Sequence, residues 1–198
     1  MKKIKSLAMK GYIIALVLVL ALSLLSACGG NNGNSNNNST NPPVSKGGDN
    51  TQNNNNGGET GTLTASITSA SGWVKDENSP YPVYKKDGVS FTLHPPKPAI
   101  GFPTEINTDN AKDIAEYLLG TLKENSTYKD ATFSDVTKTT VNGMEAYEYT
   151  VIYFTTVRTI YICKDKTAYS IALSYLEDDE YNAVKDDIQS MLDSYTLK

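Results

Sequence analysis

Apolar and polar residues follow three different regimes along this chain. Tyr12 to Leu25 is almost continuously apolar, whereas between residues 31 and 60 the only aliphatic side chain is Val44. From residue 67 onward the pattern becomes periodic. Trp73-Val74 and Tyr81-Pro82-Val83-Tyr84 read as extended segments, and Lys86-Asp87-Gly88 reads as a turn. Val89-Ser90-Phe91-Thr92-Leu93 alternates, which predicts a strand with one buried face. Pro95, Pro96, Pro98 and Pro103 then interrupt regular structure. Between Asp109 and Glu124, residues Ala111, Ile114, Ala115, Leu118 and Leu122 recur at helical spacing. Thr108 or Asn110 supplies the cap of this helix, and Asn125-Ser126 ends it. Ala131 to Val141 leads into Asn142-Gly143, whose two residues tolerate positive φ, so a hairpin is expected there. Met144 to Phe154 runs back. Val157 to Lys164 and Thr167 to Leu176 flank a short Asp165-Lys166 loop. A last helix spans Asp178 to Tyr195, with Tyr181, Val184, Ile188, Met191 and Tyr195 on one face. Its acidic start suits the positive end of the helix dipole.

Strands, a helix, four antiparallel strands and a helix imply an α+β fold: an antiparallel sheet with helices packed on its faces. About 132 residues, 67–198, are available for it, an ordinary size for one domain. In Tyr169-Ser170-Ile171-Ala172-Leu173-Ser174-Tyr175, the large residues share one face and Ser, Ala and Ser share the other. The large face fills a core. The small face allows close approach of a helix, or meets water.

Three segments of this domain resemble PsbP-like proteins. Thr140-Val141-Asn142-Gly143-Met144-Glu145-Ala146-Tyr147-Glu148-Tyr149 is similar to the family's hairpin. Lys166-Thr167-Ala168-Tyr169-Ser170-Ile171-Ala172, followed by an acidic helix ending Leu192-Asp193-Ser194-Tyr195, is similar to its last strand and terminal helix. Gly88-Val89-Ser90-Phe91-Thr92-Leu93-His94-Pro95 resembles its opening. The resemblance covers roughly 110 residues and implies an α/β/α sandwich of the Mog/PsbP type. It departs in the Pro-rich 95–107, where the family has a strand, and in lacking the family's Trp after the opening Pro. It implies no single activity, since relatives include a photosystem II subunit, an import factor and many bacterial lipoproteins.

The other two regimes concern location. Lys2, Lys3, Lys5 and Lys10 precede the apolar run, with no acid in residues 1–27, as in a secretory signal peptide. Leu25-Ser26-Ala27-Cys28-Gly29 then reads as a bacterial lipobox. Cys28 is the expected lipidation site, diacylated on sulfur and becoming the first residue after cleavage of 1–27. The alternative is an uncleaved transmembrane anchor, for which the run is slightly short of the usual 20 or so residues. Residues 28–66 are expected to be the lipidated Cys followed by a tether. Its thirty residues from 31 to 60 hold twelve Asn, and nothing in it offsets chain entropy. Such a spacer reaches on the order of 35 Å. Two acyl chains give stable anchoring where one is marginal.

The whole chain carries 18 basic and 22 acidic residues. Losing the four signal lysines leaves 14 basic groups and a formal charge of −8. That balance excludes nucleic acid as a partner and gives no overall attraction to anionic lipid.

Candidate chemistry is sparse. His94 is the sole imidazole, and Cys163 lies mid-strand between Ile162 and Lys164. A nucleophilic pair of these two is not supported by their spacing. Glu177-Asp178-Asp179-Glu180 with Asp186-Asp187 could hold calcium, but no glycine bends a loop around it, and helix-start acids account for it. No cofactor motif or metal-ligand set is expected. Tyr147, Tyr149 and Tyr153 fall on one face by alternation. Exposed, they would form an aromatic binding surface; buried, they are core. The expected function is a membrane-anchored extracytoplasmic lipoprotein. Its domain binds or stabilises another envelope protein and is not an enzyme. A small hydrolase or transferase, or an accessory solute-binding lipoprotein, are the alternatives.

Overall fold

The computed structural model describes residues 63–198. The expected signal peptide, Cys28 and most of the expected tether lie outside the described residues. Among the described residues, strands are β1 (Ala65–Ser66), β2 (Val74–Lys75), β3 (Val83–Lys86), β4 (Val89–Leu93) and β5 (Lys97–Pro98), followed by β6 (Thr132–Phe133), β7 (Thr137–Val141), β8 (Met144–Ile152), β9 (Thr156–Lys164), β10 (Thr167–Tyr175) and β11 (Thr196–Leu197). Helix α1 spans Ala111–Glu124 and α2 spans Asp178–Asp193.

The large sheet runs β2-β3-β4-β10-β9-β8 and is antiparallel throughout. Two positions in this sheet are filled by broken strands. β5 continues β4 along β10, and β6 with β7 forms the edge along β8. Residues 134–136 interrupt that edge, where the Ser134 amide donates to the Thr150 carbonyl and the Thr150 amide to Ser134 Oγ. Lys97–Pro98 is therefore a short strand inside the Pro-rich segment, which was expected to hold none. Pro98 lacks an N–H, and it sits where β5 ends, so little pairing is lost.

Alternation divides the core in two. Phe91, Leu93, Ile160, Ile162, Tyr169, Ile171 and Leu173 pack with Val184, Ile188, Met191 and Leu192 of α2. Tyr149, Val151, Tyr161 and Ala168 pack on the opposite face with Ile114, Ala115 and Leu119 of α1. The result is the α/β/α sandwich. The buried stripe of α1 is centred one residue later than expected: Leu119 is buried, while Leu118 and Leu122 are half-buried. Asn110 caps α1 by accepting from the Lys112 amide.

Two features extend the domain past its expected start at residue 67. β1 pairs with β11, and Thr64 and Lys198 exchange both backbone bonds. Leu63, Ala65 and Ile67 pack against the α2-side core. The last residues of the region assigned to the tether thus belong to the fold, because they carry the first apolar groups after the Asn-rich stretch.

Turn geometry and helix glycine give opposite expectations. Gly143 has φ +75° with open space where a Cβ would lie. Gly143→Val should therefore cost roughly 1–2 kcal/mol through backbone conformation alone. Gly120 lies inside α1 with no neighbour within 4 Å of a built Cβ. Gly120→Ala should stabilise by about 0.5–1 kcal/mol. Denaturant midpoints of the two variants should move in opposite directions from wild type; equal midpoints would contradict the turn and helix assignments.

Candidate functional site

β8 and β9 are joined by Tyr153-Phe154-Thr155, and this turn is held rather than loose. The Tyr153 amide donates to the Thr155 carbonyl at 3.2 Å, and Thr155 Oγ1 donates to the Tyr175 carbonyl at 2.5 Å. The Tyr153 and Phe154 rings lie 4.0 Å apart between centroids. Tyr128, from the single 3-10 turn after α1, meets Tyr153 edge-on at 6.0 Å. Partial burial, followed by the neighbouring Tyr153, pushes the Tyr128 hydroxyl pKa up. Phe154 is 60% and Ile152 49% exposed. Tyr128, Tyr153 and Phe154 thus form a knob of contacting rings at the hairpin tip, with Phe154 the most exposed, and Ile152 is exposed at the adjoining strand end.

The three tyrosines singled out from alternation do not share a surface. β8 ends at Ile152, so Tyr153 lies past the strand and belongs to the knob. Tyr149 is core: its hydroxyl meets that of Tyr161 at 3.0 Å, beneath α1. Burial raises both hydroxyls, Tyr161 to about 12, so neither ionises at neutral pH. Tyr147 is half-buried and lines an open cleft of about 370 Å³ with Asp109, Asn110, Ala111, Glu145 and Cys163.

That cleft offers little reactivity. Burial first, then Asp109 and Asp113, pushes the Cys163 thiol to about 12, so it stays protonated and weakly nucleophilic. The acids also oppose anion binding at the start of α1. His94 is elsewhere. It follows β4 opposite Ser170, whereas Cys163 on β9 pairs with Ala168. β10 separates them, so they sit two strands, roughly 10 Å, apart across the sheet. The His94 ring is buried against Tyr81, 5.9 Å away, and its Nδ1 has no hydrogen-bond partner.

The acidic run at α2 is a structural device. Glu177 and Glu180 form a capping box, and Glu180 Oε2 accepts from the Leu176 and Glu177 amides. Asp187 accepts from Trp73 Nε1 and pairs with Lys86 at 2.6 Å, tying α2 to β3. Among the described residues, no group of three or more His, Cys, Asp or Glu converges for a metal. Arg158 donates to Glu148 and to the Tyr181 hydroxyl, joining β8, β9 and α2.

Ile152 and Phe154 were not singled out in sequence reasoning. A signal was present: Val151-Ile152-Tyr153-Phe154 is four consecutive apolar residues where alternation should bring a polar one. Such a run at a strand end means that at least one apolar side chain faces out.

Burial of His94 generates a pH prediction. Desolvation lowers its pKa from 6.5 to about 4. The unfolded chain therefore takes up the proton first. This contribution to stability is complete above pH 6.5 and is lost as pH falls toward 4, by about 2 kcal/mol between pH 7 and 5. Wild type should lose that much more stability over this interval than His94→Gln, measured by denaturant midpoints. Parallel curves for the two proteins would refute the buried neutral imidazole.

No family model and no curated protein matches the chain. Among solved structures, it is similar to cyanobacterial PsbP from Synechocystis, with 15% identity over 71% of this chain and 96% of that one, at a TM-score of 0.42. It is also similar to LpqN of Mycobacterium tuberculosis, described as involved in cell envelope biogenesis. There the identity is 18% over 72% of this chain and 87% of that one, at a TM-score of 0.47. A Pseudomonas aeruginosa protein of unknown function aligns at 12% identity over 67% of this chain and 85% of that one, with a TM-score of 0.36. All three likenesses fall below 20% identity and below a TM-score of 0.5.

Proposed function

We propose that this protein is a lipid-anchored extracytoplasmic accessory module, attached through diacylated Cys28, whose folded domain docks on another envelope protein without catalysing a reaction. The observation that carries the docking half is the knob of Tyr128, Ile152, Tyr153 and Phe154. A hydrogen-bonded turn holds Phe154 and Ile152 largely in water and the two tyrosines half-buried beside them, so burial against a partner is the evident gain. Aromatic anchors ringed by polar surface are the residues that dominate protein interfaces. Lys129 and Asp130, which follow Tyr128 in sequence and are exposed, supply a mixed polar rim.

The non-catalytic half rests on the chemistry of the site residues. Cys163 is protonated and His94 is two strands away. The anchoring half rests on the basic start, the apolar run and the Leu25-Ser26-Ala27-Cys28 lipobox. No helix among the described residues is long and apolar enough to cross a membrane.

Two substitutions separate the halves. Cys28→Ala should move the protein from the membrane to the soluble fraction with an unchanged melting temperature. Wild type found soluble and unacylated would refute the anchor. A photo-crosslinking residue at position 154 in cells should give a discrete adduct with one envelope protein, and the same probe at Gln189 on α2 should not. Phe154→Ser should weaken binding to that partner about tenfold or more while changing stability by less than about 0.5 kcal/mol. Equal binding by wild type and Phe154→Ser would refute the knob as the docking surface.

A further inference from the structure

The opposite end of the sheet carries a second exposed apolar group in a different setting. Ile100 is 93% exposed, the most exposed of the large apolar residues. It sits at the tip of a single 3-10 turn, Ala99–Gly101. Both flanks of that turn are fixed. Pro98 pairs with Thr167, the Ala99 amide donates to the Lys166 carbonyl at 2.8 Å, and Phe102 is buried under α1. Ile100 is therefore held out in water by a braced turn, and no core position is available to it.

Lysines surround this tip. Lys164 ends β9 and Lys166 lies in the β9–β10 turn; both are exposed, with no ion pair among the described residues. Lys97 lies on β5, its ammonium 4.4 Å from the centre of the Phe102 ring. Asp165 and Lys166 both adopt positive φ, 51° and 56°. Glycine or asparagine would make such a turn at lower cost, so the Lys166 side chain is not there to form it. Within residues 95–105 and 163–168 the charged groups are Lys97, Lys164 and Lys166 against Asp165 and Glu105, the last accepting from Thr104 Oγ1. This patch is positive on a chain whose mature charge is −8. Asp109, Asp113 and Glu145 lie toward the α1 side of the same end, around Cys163.

The chain enters the fold at this end. The Leu63 backbone bonds to the Tyr169 hydroxyl, which also meets Thr167 and feels the Asp165 charge. The knob at residues 152–154 lies at the far end of β9, nine residues or roughly 30 Å away.

We propose that this end is a membrane-docking face, in which Ile100 enters the headgroup region of an anionic bilayer while Lys97, Lys164 and Lys166 meet lipid phosphates. The inference rests on the anchored reading above, since it needs the bilayer to be close. An apolar tip ringed by cations fits a lipid interface better than a protein pocket, because the headgroup layer accepts an aliphatic side chain and phosphates at one depth. The contact is weak by itself. Anchoring supplies a high effective concentration, so weak affinity suffices to bias orientation. Docked this way, the domain stands on its entry end and holds the knob away from the bilayer.

The test uses the full acylated chain reconstituted in vesicles containing lipids brominated on the acyl chain. One set is made with phosphatidylglycerol and one with phosphatidylcholine only. Ile100→Trp and Phe154→Trp are compared after subtracting wild type, whose buried Trp73 sets the background. The expected result is at least twofold stronger quenching of the indole introduced by Ile100→Trp than of that introduced by Phe154→Trp, in the anionic vesicles alone. This difference should disappear in 0.5 M salt and in a background of Lys97→Gln, Lys164→Gln and Lys166→Gln. All five substitutions fall at exposed or half-buried positions, and far-ultraviolet circular dichroism verifies folding. Protein that fails to float with the vesicles overturns the anchored reading and this one with it. Protein that floats while Ile100→Trp stays unquenched overturns the docking face and leaves the anchor standing. Equal quenching in both lipids overturns the role given to the lysines. Crosslinking from position 100 to a protein in native membranes, without quenching, assigns the tip to a protein partner and overturns the proposal.

Discussion

The pairing of β9 with β10 is the constraint on which the rest of the molecule depends. Nine consecutive residue pairs, from Thr167–Lys164 to Tyr175–Thr156, run without a break. Strand side chains alternate, so a slip of one residue would send Tyr169, Ile171 and Leu173 to the wrong face. That slip would bare the α2-side core and force Ser170 and Ser174 beneath the helix. The turn that sets this register uses Asp165 and Lys166 in the left-handed region, so its strain is outweighed by the ladder it starts. The large sheet grows outward from this hairpin. β4 and β5 share one edge of it and β8 takes the other, while the two helices cover its faces.

Much of this was legible because the pattern is strong where packing is strong. The alternation in 89–93 and 169–175, the Asn142-Gly143 turn and the stripes of both helices were all readable, although β4 and β10 proved buried on both faces and not on one, because Ser90, Thr92 and Ser174 are covered too. The illegible parts lack that force. β1 and β11 are two residues long, and their pairing joins the two ends of the described chain, so no local window contains the signal. β5 lies among prolines that locally argue against a strand, yet neighbouring β10 supplies partners for it. In α1 Leu119 is buried and Leu118 half-buried, a difference of one helical position within the same apolar stripe.

The site residues divide along similar lines. Alternation correctly put Tyr147 and Tyr149 on one face, but it could not tell which part of that face α1 would cover. Tyr149 went under the helix, Tyr147 reached the cleft beside its start, and Tyr153 fell beyond the strand's end. What remained exposed was set by where the helix stops and the hairpin turns. Composition hid the second patch as well: an overall negative balance says nothing about three lysines gathered around one turn.

The clasp between the first and last strands has a mechanical side. Any pull arriving through the chain before Leu63 is applied to β1, and β1 is held by β11 through the Ala65–Leu197 and Ser66–Thr196 pairs. Ser66 and Thr196 hydroxyls add a bond at 2.8 Å, and Ser194 Oγ accepts from the Thr68 amide at 2.9 Å. The load therefore divides between the C-terminal tail with the end of α2 and, through the Leu63 bond to the Tyr169 hydroxyl, β10 of the large sheet. The clasp has two residue pairs against the nine of the central ladder, so it is the weaker of the two under tension.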